Sequence, residues 1–503
     1  MKNNTKKVKH KPMYKRSGFY FFLVYALLTI AFIIQVFTVN ILPLKYALPV
    51  SIILLLIVLA LYWLELGKKV SKVNRMLGKI LIVILSLFLA VGNWYLFKTG
   101  SAFSRMTGAD KNISVVSVVV LEDSSAKEIE DLKGKRIGTI SIGDTETQDK
   151  TIEDIEKDLD DNVTTVEYKS YKTYAEDLYD GKVEAILVNE GSRGLFEEKH
   201  PDFDNETRVI KEYTYTTEAN DISKKVNVTK DPFNVYITGI DTYGTIATVS
   251  RSDVNMIATV NPKTKQILLT SIPRDFYIPQ SCQGNQKDKL THTGIFGVEC
   301  TIDSAEEYFG IDLNYYARVN FSSLVDIVDA LGGITVNSPQ SFVTRHGGVQ
   351  VVQGDNSFNG EQTLGFVRER YALSDGDRER GRNQMRAITA IIKKATSPSI
   401  ITRYSSIMDA VGGSFQTNMS TTEMNSLIKM QIDDMSDWNI NQISVSGIGE
   451  TTWSPANGFN SYVMVPNEKT VKNAVRLINK VENGDAVTDD DVKKQEDIVS
   501  KAG

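Results

Sequence analysis

Asp241, Arg251, Asp253, Arg274 and Asp275 fall within 35 consecutive positions, and their types are those that bind metal-bound phosphate. Two neighbouring carboxylates repel unless a cation lies between them. A hard divalent ion takes a few carboxylates and lets phosphate oxygens complete its shell. Asp241 and Asp253 are therefore candidate ligands for Mg²⁺. Arg251 and Arg274 add permanent positive charge, and planar guanidinium groups bind phosphate oxygens in pairs. The same residues would also serve as incidental surface ion pairs, and spacing alone leaves both readings open.

A second segment favours the first reading. Arg368, Arg370, Arg378, Arg380, Arg382 and Arg386 crowd into fewer than twenty residues. Residues 366–371 have a strand-like alternation, which predicts a strand with Arg368 and Arg370 on one face. Asp375 and Asp377 fall in a polar turn before a predicted helix, whose first turns set Arg380 and Gln384 four residues apart on one side. Arg378, Arg382 and Arg386 form a different stripe, more simply read as a solvated basic face. Asp275 and Asp377 are candidates for removing a proton from an acceptor hydroxyl, and each would equally orient an arginine or cap a helix. The four histidines are scattered, and His292 reads as structural.

Positioning these groups requires particular strands. Residues 233–240 form an apolar run ending at Asp241, residues 254–260 a second run opened by Asp253, and residues 266–272 a third before Arg274. Asn261 and Pro262 mark the turn between the last two. In a meander, the end of the first strand, the start of the second and the end of the third meet at one edge. Upstream, residues 115–121, 136–141 and 183–188 read as strands, and residues 124–132, 145–159 and 171–179 as helices. They predict a smaller α/β domain over 112–223, followed by a polar linker over 218–230.

Charge and hydropathy divide the 503 residues sharply. Residues 1–109 carry 15 Lys and Arg against one acid, Glu65, so the formal charge of −5 leaves about −19 for the rest. An acidic outer portion disfavours nucleic acid, which calls for a basic face. Apolar runs at 19–39, 47–66 and 80–97 are each near the roughly 20 residues that cross a bilayer as a helix. The basic tail and the basic second loop fall on one side, which predicts a cytoplasmic N-terminus and an extracellular C-terminal part. The tail would also contact anionic membrane lipids. Cys282 and Cys300 would form either one disulfide or two buried thiols.

With these residues in place, a family resemblance emerges. Residues 236–241 (YITGID), 250–253 (SRSD), 271–275 (SIPRD), 328–333 (VDALGG) and 380–384 (RGRNQ) resemble the ordered signature blocks of the LytR-CpsA-Psr family. The likeness runs from about residue 232 to 395 and more weakly to about 480. The three-span anchor and the preceding small domain resemble the CpsA-type capsule proteins of streptococci and related Gram-positive bacteria. The resemblance implies an α-β-α catalytic domain over 231–480, after a cytoplasmic tail (1–18), three spans (19–97) and the accessory domain (112–223), with a charged, flexible tail at 481–503. It implies transfer of a glycopolymer, of capsular or exopolysaccharide type, from an undecaprenyl-pyrophosphate carrier to peptidoglycan, alongside other capsule-assembly proteins. Carried over by motif, Asp241 and Asp253 hold Mg²⁺ or Mn²⁺. Arg251, Arg274, Arg368, Arg370, Arg380 and Gln384 surround the pyrophosphate, and Arg274, Asp275, Arg368 and Asp377 serve the chemistry. The polyprenyl chain would lie between sheet and helices, with residues 324–331 as one wall. A pyrophosphatase using water as acceptor and a regulator of capsule output are the alternatives.

Overall fold

The computed structural model describes residues 17–67, 70–106, 111–240, 248–398, 403, 406–407, 410 and 415–502. It divides into two compact units, Met1–Ser104 with Thr421–Met435, and Arg105–Ser420 with Ser436–Gly503.

In the first unit, helices Ser17–Val39, Leu44–Leu66 and Lys72–Met106 are each long and apolar enough to cross a membrane. They are apolar on every side, and Leu59, Phe88 and Phe97 are largely exposed. Such helices need an apolar environment all round. Tyr25, Leu61 and Ile82 fill the space between them, and Asn93 Nδ2 donates to the Leu28 carbonyl at 3.1 Å. Helix Thr421–Asp434 joins this unit through polar contacts to the first connection: Asn425 Nδ2 to the Val39 carbonyl (2.7 Å), Lys429 to Asn40 (3.0 Å) and Asp433 to Lys45 (2.8 Å).

The second unit contains two main sheets. The first has the order Thr164–Tyr168, Arg136–Ile140, Ala185–Asn189, Lys111–Leu121, Thr207–Glu218. Its first three strands are parallel and the last two are added antiparallel. Helix Thr145–Leu159 covers one face through Ile155 and Leu159, and helix Tyr171–Tyr179 the other through Tyr174 and Leu178. The helix expected over 124–132 does not form. The Ser124 hydroxyl accepts the Ala126 N–H and Asp131 accepts those of Lys127 and Glu128, bonds that compete with helical ones and leave one 3-10 turn, Ile129–Leu132.

The second sheet has the order Gln416–Thr417, Tyr315–Val319, Phe233–Ile240, Ser252–Asn261, Gln266–Ile272, Asn439–Ser444. Its middle is the expected antiparallel meander, and Tyr315–Val319 and Asn439–Ser444 join it in parallel on either side. Helices Val298–Phe309 and Glu468–Glu482 bury Ile302, Leu477 and Ile478 against one face. Helix Gly376–Ala395 buries Met385 against the other. The result is an α-β-α layering.

Two further expectations change. Residues 366–371 are not a strand, because helix Gly360–Arg368 runs through the first three of them. Asn359 caps that helix and Gln362 returns the bond, a reciprocal arrangement that sets its start and direction. Residues 481–503, expected as a flexible tail, contain helix Asp489–Ser500, capped by Thr488 with Asp491. Val499 is buried and Gln495 donates to the Ser444 carbonyl, so the helix is docked on the sheet. Cys282 and Cys300 are disulfide-bonded with Cα atoms 5.3 Å apart across an 18-residue step. Closing a loop of that size contributes about 3 kcal/mol in the chain-entropy account.

Candidate active site

Asp253 occupies a β-bulge. Gly239 pairs with Val254 and Ile240 with Ser252, which leaves Asp253 as the extra residue on its strand. A bulge is a place where a strand re-aims a side chain. Arg274 Nη1 donates to Asp253 Oδ2 at 2.9 Å and Thr291 Oγ1 to its Oδ1 at 2.8 Å. Burial by itself would raise the pKa of this carboxyl, but the guanidinium groups of Arg274, Arg251 and Arg380 override it and hold the group well below the usual carboxylate range. Asp253 is thus a fixed negative charge among arginines. Its ionisation stabilises the fold above the unfolded carboxyl pKa of about 4, and this contribution is lost only as pH falls through the depressed folded value.

These groups open onto a cavity of about 380 Å³. Its mouth carries Arg251, Arg274, Arg345, Arg368, Arg370 and Arg380, against Asp253, Glu197 and Glu369. Its depth is apolar, between Ile237 and Val254 of the sheet and Leu324, Leu364, Val367 and Ile388 of the helices. One end suits a multiply charged anion and the other a hydrocarbon chain. The structure therefore brings Arg251, Asp253, Arg274, Arg368, Arg370, Arg380 and Gln384 together, as the sequence implied. Arg368 ends its helix with its guanidinium 4.1 Å from the centroid of the Phe321 ring. Of the wall expected at 324–331 only Leu324 lines the cavity, joined by Phe321 from the start of the same helix, Phe321–Ala330. Arg382 and Arg386 stay apart, paired with Glu379, whereas Arg378, paired with Asp375, lines a small cleft beside the cavity.

Sequence reasoning missed three residues of the mouth. Glu369, only 3% exposed, accepts the backbone N–H groups of Arg345 (2.5 Å), Arg370 (3.0 Å), Tyr371 (2.8 Å) and Ala372 (3.0 Å). Burial opposes its charge, and those four donors prevail and lower its pKa. The guanidinium groups of Arg345 and Arg370 lie 3.9 and 4.5 Å from the centroid of the Tyr371 ring. One buried carboxylate therefore fixes two arginines that are 25 positions apart. The acid between Arg368 and Arg370 was visible in the sequence, but nothing there tied it to Arg345. The first sheet's surroundings also reach the mouth: Arg251 Nη1 donates to the Gly194 carbonyl at 3.2 Å, and Gly194 leaves no room for a side chain beside that guanidinium.

Asp275 and Asp377 lie to one side. The Asp275 carboxylate is 3.9 Å from Arg274 Nε, and burial pushes its pKa up against the pull of Arg274 and Lys289. Asp377 pairs with Arg380 at 2.5 Å. It lines a small adjoining cleft that shares Asp253, Arg274, Arg380 and Gln384 with the main cavity. His292 is buried with Asp288 at 3.1 Å, and Ser454 and the Ala456 N–H complete a structural cluster.

Asp241 lies outside the described residues. Among the described residues no group of three or more His, Cys, Asp or Glu is gathered as a metal cage. The remaining donor, Asp253 among the arginines, suits an ion such as Mg²⁺ that takes one or two carboxylates and draws its other ligands from phosphate and water.

Residues 203–478 match the model described as the LytR_cpsA_psr family, more than half of the chain. Residues 72–188 match that described as DNA polymerase processivity factor. This second match covers under a quarter of the chain and starts within an apolar, membrane-length helix, so it carries no functional inference. The polyisoprenyl-teichoic acid–peptidoglycan teichoic acid transferase TagU of Enterococcus faecalis is 37% identical over 215 residues, covering 42% of this chain and 70% of the relative. TagU of Oceanobacillus iheyensis is 32% identical over 229 residues, covering 44% and 69%. The crystal structure of B. subtilis TagU is 29% identical, with a TM-score of 0.40, over 52% of this chain and all of that one.

Proposed function

This chain belongs to the LytR-CpsA-Psr family, and from that membership and the form of its cavity we propose that it is a phosphotransferase moving a glycopolymer from a polyprenyl-pyrophosphate carrier to peptidoglycan. The observation that carries the reading is the junction of six arginines with an apolar recess in one cavity. A polyprenyl pyrophosphate has that same division between a charged head and a hydrocarbon tail. Relatives whose names specify polyisoprenyl-linked teichoic acid and peptidoglycan support the donor and acceptor classes. The CpsA-like anchor supports a capsular or exopolysaccharide donor on undecaprenyl pyrophosphate. The charge of the loops supports a membrane-anchored protein with its C-terminal part outside the cell.

In the proposed reaction an acceptor hydroxyl oxygen bonds to the glycan-bearing phosphorus. The bond from that phosphorus to the bridging oxygen breaks, polyprenyl phosphate leaves, and a phosphodiester joins glycan to wall. Arg251, Arg274, Arg368, Arg370 and Arg380 hold the phosphate oxygens and offset the charge that grows on them. Asp253, with Asp241, would hold Mg²⁺ or Mn²⁺, which supplies further charge neutralisation when bound. The hydroxyl proton passes to Asp275 or Asp377. In cells without paralogues, Arg368→Ala at normal protein level is expected to lower glycan covalently retained on purified peptidoglycan at least about tenfold. Unchanged attachment overturns the reading.

The two carboxylates are separable by pH. A base must be ionised, and the Asp275 pKa is raised. If Asp275 takes the proton, transfer falls as pH drops through a value above the usual aspartate range, and Asp275→Asn removes that limb of the profile. An unaltered limb in Asp275→Asn assigns the proton to Asp377.

A further inference from the structure

The adjoining cleft at Asp377 leads to a surface that the donor reading does not use. Strands Gly447–Ser454 and Phe459–Pro466 form a hairpin whose register pairs Thr451 with Tyr462 and Trp453 with Asn460. Because alternate residues share a face, Trp453 and Tyr462 stand diagonally on the same one. Both rings are 49% exposed, whereas Ser461, Val463 and Ser454 on the opposite face are buried. The exposed face carries Thr451 and Asn460 between the rings and no charge. Gly449 lies beneath Tyr462, where a Cβ would come within 2.8 Å of the ring, so the glycine lets the ring lie down on the hairpin.

The hairpin is joined to the reacting centre. The Met464 N–H donates to the Asp275 carbonyl at 2.7 Å, and Tyr277 Oη donates to the Trp453 carbonyl at 2.9 Å. Met464 lines the cleft with Asp377, and the cleft ends on the same Asp253, Arg274, Arg380 and Gln384 as the donor cavity. Burial first, then the charges of Asp275 and Asp377, raise the pKa of the Tyr462 phenol against the opposing charge of Arg378. Two openings thus share one set of residues, one lined in part by apolar side chains and the other by Asp377 and, from the hairpin, by Met464, two positions from Tyr462.

We infer that the Trp453–Tyr462 face is the docking platform for sugar rings of the acceptor glycan strand, an inference that rests on the transferase reading above. The C–H face of a pyranose is slightly positive and packs on the negative face of an aromatic ring, and the neutral Thr451 and Asn460 side chains suit its hydroxyls. A strand lying on this face runs towards Asp377 and Asp275, which presents one of its hydroxyls to the carboxylates.

The test is calorimetric titration of the full chain in lipid nanodiscs with peptide-free glycan strands prepared from peptidoglycan. The Trp453→Ala, Tyr462→Ala double variant is expected to bind strands about tenfold more weakly, with affinity for a polyprenyl-pyrophosphate donor unchanged as the control for folding. Trp453→Phe, Tyr462→Phe keeps both rings and is expected to stay within about twofold of the natural chain. Strands that fail to bind the natural chain, or that bind the double alanine variant equally well, overturn the platform. Strands that bind through these rings but never receive glycopolymer overturn the transferase reading and leave the glycan site standing.

Discussion

Arg274→Ala is expected to lower transfer by about 10²–10³-fold, the loss typical of removing one preorganised group that stabilises developing charge. Arg274 has two roles. It faces the cavity, where phosphate oxygens would gather, and its Nη1 holds Asp253 at 2.9 Å. Removing one partner of a largely buried pair leaves an uncompensated charge and costs about 3–5 kcal/mol where nothing else compensates. Here Arg251 and Arg380 also act on Asp253, so the loss of stability should fall below that range. Arg274→Lys separates the two roles. A lysine keeps a positive charge near Asp253 and so retains stability, but it lacks the planar fork for phosphate. Single-turnover rates beside melting curves make the comparison: both variants slow, and only the alanine variant clearly melts lower. A lysine variant with the natural rate would show that Arg274 serves only to pair Asp253.

Glu369→Ala is expected to reduce transfer about 10²-fold, the scale on which a misplacement of about 1 Å acts, although Glu369 does no bond-making itself. Its carboxylate gathers four backbone N–H groups and so sets the chain on either side of Tyr371 and Arg345. Without it these donors lose their acceptor, at about 1–3 kcal/mol for each that stays buried and unsatisfied. The segment should relax outward and carry Arg345 and Arg370 away from the mouth. Because those arginines would grip the donor before reaction, most of the loss should appear as weaker donor binding. Glu369→Gln keeps one carbonyl acceptor and should fall between the alanine variant and the natural chain. Equal donor binding in all three would remove Glu369 from the positioning of the site.

The meander was legible because its signals are local. Residues 233–240 and 266–272 have strand composition, and Asn261 marks the turn between the later strands by accepting the N–H groups of Lys263 and Thr264. Three apolar runs announced the membrane-length helices for the same reason. Residues 366–371 misled because their alternation matches a strand, whereas the decisive cap lies seven residues earlier, at Asn359. The bulge at Asp253 is a matter of register between strands and has no signature in either strand alone. Arg345 is a lone charge among loop residues, and only the fold brings it to Arg370. The Trp453–Tyr462 face was equally hidden, since each ring reads as an ordinary strand residue until the pairing of the hairpin is known.

Transfer can be observed with the purified full chain in nanodiscs, a labelled polyprenyl-pyrophosphate-linked glycan and peptidoglycan as acceptor. The proposed mechanism predicts label bound covalently to peptidoglycan through a phosphodiester, with one polyprenyl phosphate released for each glycan attached. It also predicts that Arg274→Ala forms neither product at the natural rate. Label released only as free phosphorylated glycan, with none on the wall, would contradict transfer to peptidoglycan and establish water as the acceptor.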